Sequence, residues 1–137
     1  MLTRRRFAGF ASCAICAAAV FVATDASAQM TGVTTTVLSK LDGPTPGYVT
    51  INLVAEIEPG ATIIRHMHPG IESSYVLEGG YDLAIKGQPT RPLKPGDVFQ
   101  VPPETPHAGV KNGDKKTRAV VTYVVEKGKP LVIPVSD

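Results

Sequence analysis

Glycine and proline interrupt this chain so often that its secondary-structure elements must be short. Its 137 residues include 13 glycines and 12 prolines, many of them clustered, as at residues 43–47 and 102–106. Between the clusters, β-branched and aromatic residues alternate with polar ones, and no segment shows the periodicity of an amphipathic helix. The pattern predicts about eight or nine short strands, which at this close spacing are typical of an all-β sandwich or barrel.

The longest predicted strand comes near the end of the chain, at residues 117–126. Its alternation puts Ala119, Val121, Tyr123 and Val125 on one face. A shorter apolar run follows at residues 131–135. Two interpretations of that run stay open: an edge strand, or an arm that packs on a partner chain.

The composition is typical of one globular domain without a charged partner. Hydrophobic residues make up 43% of the chain and charged residues 19%. The net charge of +2 comes entirely from the first 28 residues, which contain Arg4, Arg5, Arg6 and Asp25. The rest of the chain has equal numbers of basic and acidic side chains. We therefore expect neither a nucleic-acid partner nor binding to an anionic membrane.

The first 28 residues have the features of a cleavable export signal. Arg4–Arg6 precede an alanine-rich apolar stretch, and Ala-Ser-Ala at residues 26–28 is a small-x-small cleavage pattern. Residues 3–7 resemble a twin-arginine signal, and the alternative is a general secretory signal with an incidental arginine run. We expect cleavage after Ala28 and a periplasmic or secreted protein without a stable membrane anchor. Both cysteines, Cys13 and Cys16, would leave with the signal.

The three histidines are the strongest indication of function. His66 and His68 follow a β-branched run at residues 62–64, and in a strand residues i and i+2 point to the same side, about 6.6 Å apart. Pro69 and Gly70 favour a turn that can bring Glu72 back toward the two imidazoles. His107 must come from a distant strand.

Imidazoles and a carboxylate together form a ligand set for one divalent transition metal. His66, His68, Glu72 and His107 would leave open positions on a five- or six-coordinate ion, which a substrate or dioxygen could take. Iron, manganese, nickel, copper and zinc all suit such a set. The ordinary alternative is a packing pair, a solvated glutamate and a loop histidine. Their joint occurrence in two glycine- and proline-rich segments favours the metal.

These two segments resemble the two sequence motifs of the cupin superfamily. The first motif is Gly, five residues, His-x-His, three or four residues, Glu, six residues and Gly. The second is Gly, five residues, Pro-x-Gly, two residues, His, three residues and Asn. The matching positions are Gly60, His66, His68, Glu72, Gly79, Gly96, Pro102 and His107. The chain departs from the second motif at Glu104, where the motif has Gly, and at Lys111, where it has Asn.

The resemblance implies an all-β double-stranded β-helix, the cupin jelly-roll barrel, formed by residues 29–137 as a single domain. Small cupins commonly pair, so it also implies a homodimer. Similar small cupins include dioxygenases and isomerases. We therefore expect a metal-dependent, dioxygenase-like oxidoreductase that acts on a small organic substrate. A non-catalytic binding protein, a metal-dependent isomerase and a structural metal site stay open as alternatives, and no catalytic residue is assigned.

Strand parity also predicts the surroundings of the metal ligands. It places Ile64 beside His66, and it places Ser74, Val76 and Glu78 on the face of Glu72. The result would be a small, mostly apolar pocket that suits an apolar or carbonyl-bearing substrate better than a sugar phosphate. Two tyrosines, at positions 75 and 123, are candidates either for a proton donor or for simple packing.

Overall fold

The computed structural model describes residues 30–136, and among them it contains ten strands and no helix. None of these residues forms a helix that is long and apolar enough to span a membrane. The predicted signal segment and its cleavage site lie outside the described residues. The strands are β1 (Val33–Asp42), β2 (Tyr48–Ile57), β3 (Ile63–Met67), β4 (Gly70–Glu78), β5 (Tyr81–Ile85), β6 (Arg91–Pro92), β7 (Val98–Val101), β8 (His107–Asn112), β9 (Thr117–Glu126) and β10 (Ile133–Pro134).

The strands form two five-stranded antiparallel sheets. The order in the first is β1-β2-β9-β4-β7, and in the second it is β10-β3-β8-β5-β6. Consecutive strands β3 and β4 belong to different sheets, as do β4 and β5, so the chain winds back and forth between the two layers. This architecture confirms the predicted all-β double-stranded β-helix.

The core lies between the two sheets. On β9 the alternation is as predicted: Ala119, Val121 and Val125 are buried, and Tyr123 is partly buried on the same face. Val76 and Val101 are almost completely enclosed. Burial of each such valine stabilises the fold by roughly 1.5–3 kcal/mol. Apolar burial therefore holds the sheets together around the histidines.

Two β-bulges change which side chains point inward, so two of the predictions from strand alternation are wrong. Ile63 pairs with Gly109 and His66 with His107, so β3 has one residue more than β8 between these pairs. The extra residue reverses the alternation, and Ile63 rather than Ile64 faces the interior cavity.

The second bulge lies on β4, between Val76 and Glu78. It turns Glu78 to the surface, where its carboxylate accepts a hydrogen bond of 2.8 Å from Arg118. The prediction for Glu78 is therefore wrong. Ser74 and Val76 lie inward with Glu72 and are buried as expected.

The last described residues form an edge strand, the first of the two interpretations of that run. In β10, Ile133 pairs with Met67 and Pro134 with His66. The backbone N–H of Val135 donates to the carbonyl of Arg65 at 3.1 Å. The end of the chain thus lies directly beside the strand that carries the first histidine.

Candidate metal centre

Three strands, and the link between two of them, bring the predicted ligands together between the sheets. His66 on β3 is directly opposite His107 on β8, and their ring centroids are 4.2 Å apart. His68 follows β3 and lies 4.8 Å from His66 by the same measure. Glu72 reaches them from β4 in the other sheet. All four side chains are buried, and one potential ligand atom from each lies within 4.8 Å of the others.

Backbone carbonyls orient all three imidazoles. The Nδ1 atom of His66 lies 2.7 Å from the carbonyl of Ile64, and that of His68 lies 2.6 Å from the carbonyl of Leu131. His107 Nδ1 is 3.0 Å from the carbonyl of Thr105. A carbonyl oxygen can only accept, so each Nδ1 carries the proton. The Nε2 atoms are therefore left as the metal-binding nitrogens.

Glu72 closes the group on its other side. Its Oε2 atom is 2.9 Å from His68 Nε2 and 3.2 Å from His107 Nε2. Its Oε1 atom accepts a hydrogen bond of 2.8 Å from the hydroxyl of buried Ser74. Ser74 thereby fixes the orientation of the carboxylate and leaves Oε2 facing the imidazoles.

These short separations need a cation to be stable. A carboxylate oxygen and an Nε2 lone pair are both acceptors, so they repel unless a proton or a metal ion lies between them. His68 Nε2 is fully buried and has no hydrogen-bond partner among the described residues. A buried polar atom of this kind costs about 1–3 kcal/mol when it is left unsatisfied. The donor set and the orphaned nitrogen both fit a divalent transition metal.

The charge states also suit metal binding. Burial and the neighbouring His107 lower the pKa of His66 to about 4, so its imidazole is neutral at physiological pH. Burial raises the pKa of Glu72, but in the metal-free site a proton held on Nε2 of His107 or His68 and donated to the carboxylate outweighs burial and keeps that pKa below its usual range. Neutral imidazole and ionised carboxylate are the forms that bind a metal.

The group forms one wall of a small apolar cavity of about 110 Å³. His66, Glu72 and His107 line one side of it, and no lysine or arginine among residues 30–136 lines it. Hydrocarbon side chains of both sheets and of the segment before β10 supply most of the remaining surface. They are Val33, Leu53, Ala55, Ile57, Ile63, Leu83, Ala119, Val121, Leu131 and Val132. This is the small, mostly apolar pocket that the sequence predicts.

Two tyrosine side chains line the cavity. Tyr123 packs its ring on that of His68 at a centroid distance of 4.6 Å, whereas Tyr75 lies on the outer surface and is 45% exposed. Tyr81 also lines the cavity and was missed, although its alternation with Leu83 and Ile85 on β5 could have shown that it points inward. Burial, together with the charge of Glu72, raises the pKa of both cavity tyrosines, which therefore stay protonated.

Glu104 keeps the backbone shape of the motif glycine that it replaces. Its φ of 53° lies in the left-handed region, which residues other than glycine rarely adopt. Its backbone N–H donates to the carbonyl of His68 at 2.9 Å. The departure from the motif therefore changes the residue and leaves the turn beside His68 in place.

Comparisons with known proteins agree with this architecture. The family model for the cupin domain matches residues 53–128, which include all four residues of the metal group. No functionally curated protein matches the chain.

Several solved structures resemble the protein. DMSP lyase DddQ from Ruegeria pomeroyi DSS-3 has 25% identity and a TM-score of 0.64, covering 77% of this chain and 54% of its own. The chain thus spans about half of that lyase. Polyketide cyclase RemF from Streptomyces resistomycificus has 25% identity and a TM-score of 0.62, covering 79% of this chain and 74% of its own. A cupin-like protein from Thermotoga maritima has 23% identity and a TM-score of 0.60, covering 83% and 85%. Because the cupin-domain family model matches more than half of the chain, the protein belongs to the cupin family.

Proposed function

We propose that this protein is an exported, metal-dependent enzyme that acts on a small organic molecule. His66, His68, Glu72 and His107 would bind one divalent transition metal. The observation that carries the proposal is the convergence of three imidazole nitrogens and one carboxylate oxygen within 4.8 Å, at the wall of an apolar cavity. A binding site for a small ligand thus adjoins the metal group.

The arrangement favours chemistry over a purely structural metal. Three nitrogens and one oxygen would leave open positions on a five- or six-coordinate ion, and the apolar cavity adjoins the group that would hold it. A metal bound here would polarise a substrate oxygen or bind dioxygen. The carbonyls behind each Nδ1 keep the imidazoles in place, and Ser74 keeps Glu72 in place. The apolar side chains around the cavity lower the local polarity and so strengthen the electrostatic interactions within the site.

Two reaction classes are proposed. The first is a dioxygenase-like oxidation, in agreement with the expectation from the motifs. The second is a non-oxidative reaction in which the metal acts as a Lewis acid, and the structural similarity to a lyase and a cyclase favours it. The two tyrosines that line the cavity suit both classes, because a phenol can donate a hydrogen bond to an oxygen of the substrate.

Oxygen consumption separates these classes. Protein loaded with iron(II) would be mixed with a panel of small diketones and phenols, and dioxygen uptake and substrate loss would be recorded together. Uptake that matches substrate loss supports the oxidation. Substrate loss without uptake supports the Lewis-acid reaction. Binding without any turnover across the panel would contradict both reaction classes and support a non-catalytic binding protein.

We also propose a periplasmic location and a homodimer. The location rests on the signal-like first 28 residues. The dimer is supported by exposed apolar side chains on the edge strand β1, where Leu41 is 73% and Leu38 is 60% exposed. Cell fractionation and sedimentation equilibrium test the two statements separately. A cytoplasmic, uncleaved chain would contradict the first, and a monomer at micromolar concentration would contradict the second.

A further inference from the structure

Tyr81 and Tyr123 have hydroxyl groups that packing does not explain. Both side chains line the cavity, Tyr81 from β5 in one sheet and Tyr123 from β9 in the other. Their rings are packed, Tyr81 against Phe99 at 6.4 Å and Tyr123 against His68 at 4.6 Å between centroids. No hydrogen bond to either hydroxyl exists among the described residues. Phenylalanine would fill the same space without a polar group that is shielded from bulk water.

Few other side-chain donors line the cavity beside these two tyrosines. Among the described residues, no lysine or arginine lines it, the hydroxyl of Ser74 is committed to Glu72, and the three histidine Nδ1 atoms donate to carbonyls. The remaining side-chain hydroxyl belongs to Thr35, on the exposed edge strand β1. A phenol is neutral at physiological pH and donates one hydrogen bond. Two such donors, in a cavity that borders the metal group, suit an oxygen atom that carries partial negative charge.

We propose that Tyr81 and Tyr123 are specificity-determining residues that donate hydrogen bonds to an oxygen of a small, uncharged carbonyl or hydroxyl compound bound beside the metal. The inference rests on the metal site proposed above. A cavity of about 150 Å³ holds benzene, so one of about 110 Å³ holds roughly five non-hydrogen atoms. Sugars and aromatic substrates would have to extend out of the cavity.

Cobalt(II)-loaded protein tests the proposal without requiring turnover. Cobalt(II) has a visible absorption that reports its ligands, and acetohydroxamate is a probe with about the right size and two oxygens. We expect wild-type protein to bind acetohydroxamate, and Tyr81→Phe and Tyr123→Phe each to weaken binding about 10- to 100-fold. Tyr75→Phe, on the outer surface, is the matched control and should bind like wild type.

A second probe and a stability measurement separate hydrogen bonding from packing. Ethanethiol coordinates through sulfur, which is a weak acceptor, so the two cavity variants should bind it as wild type does. Their metal-free forms should melt no lower than wild type, because each loses a hydroxyl that has no partner.

Each other outcome has a distinct meaning. Equal loss of both probes, a lower melting temperature, or unchanged acetohydroxamate binding in both variants would overturn the role of the tyrosines while leaving the metal site standing. Failure of wild-type protein to take up cobalt would overturn the proposed metal function and the tyrosine roles with it.

Discussion

Replacement of Glu104 by glycine should make the protein more stable, although it removes a side chain. Glu104 has a φ of 53°, a conformation that costs an L-residue roughly 1–2 kcal/mol. Glycine removes this cost but makes the unfolded chain more flexible, which opposes the gain by about 0.4–1 kcal/mol. The expected net gain in the free energy of unfolding is therefore about 0.5–1 kcal/mol. For a domain of this size, that raises the melting temperature by roughly 2–6 °C.

The matched control is Glu104→Ala, which removes the same carboxylate but keeps a Cβ in the left-handed region. Urea unfolding of both variants, with a chelator present so that metal binding does not contribute, gives the comparison. Glu104→Gly should be about 0.5–1 kcal/mol more stable than Glu104→Ala at an unchanged m-value. If the alanine variant is equally or more stable, the backbone at residue 104 is not strained, and the account of this turn beside His68 is wrong.

Three further predictions concern the site and its supporting strands. Glu72→Gln should keep the β-sheet circular dichroism but weaken metal binding at least about tenfold, because a neutral amide replaces the charged ligand; unchanged affinity would exclude Glu72 as a ligand. Metal-free protein should lose up to about 2 kcal/mol of stability between pH 7 and pH 5, since the pKa of His66 is about 4 in the folded protein, against an ordinary value of 6.5 for a solvated histidine. The unfolded chain therefore binds more protons over this range, and His66→Gln should flatten the dependence. Gly70→Ala should destabilise the fold by about 2 kcal/mol or more, because a Cβ at residue 70 would overlap the backbone of Val124; an unchanged urea midpoint would contradict the packing of β4 on β9.

The residues of the metal group were predictable because the constraints on them are local. His66 and His68 are two residues apart, and the turn at Pro69 and Gly70 returns the chain to Glu72 within four residues. This spacing is set within seven residues of sequence, so it does not depend on how the distant strands pair. His107 was predictable through the second motif, which places a histidine after a proline-rich corner.

What the sequence did not show depends on contacts between distant strands. The bulge between Ile63 and His66 exists only because β3 pairs with β8, so counting parity along β3 alone chose Ile64 instead of Ile63. The partner of His68 Nδ1 is a backbone carbonyl 63 residues later, at Leu131, and a carbonyl has no sequence signature. Tyr81 is different, because its alternation with Leu83 and Ile85 on β5 is enough to predict that its side chain points inward.

The exposure of the edge strand β1 also depends on the fold and not on local sequence. The β-branched residues of β1 favour a strand, but they do not predict that nine of its ten residues are exposed. That exposure follows from the position of β1 at the edge of its sheet, which is a property of the topology. Val37, for example, pairs with Leu53, yet Val37 is 59% exposed whereas Leu53 is buried.

The metal content of the protein tests the central claim most directly. Protein exported by its own host and purified without a metal-affinity column should contain about one equivalent of a divalent transition metal per chain, measured by mass spectrometry. His107→Ala should retain the β fold and lose most of that metal, because it removes the ligand that β8 contributes. Wild-type protein without bound metal, or a His107→Ala variant with full occupancy, would contradict the assignment of these four residues as a metal site.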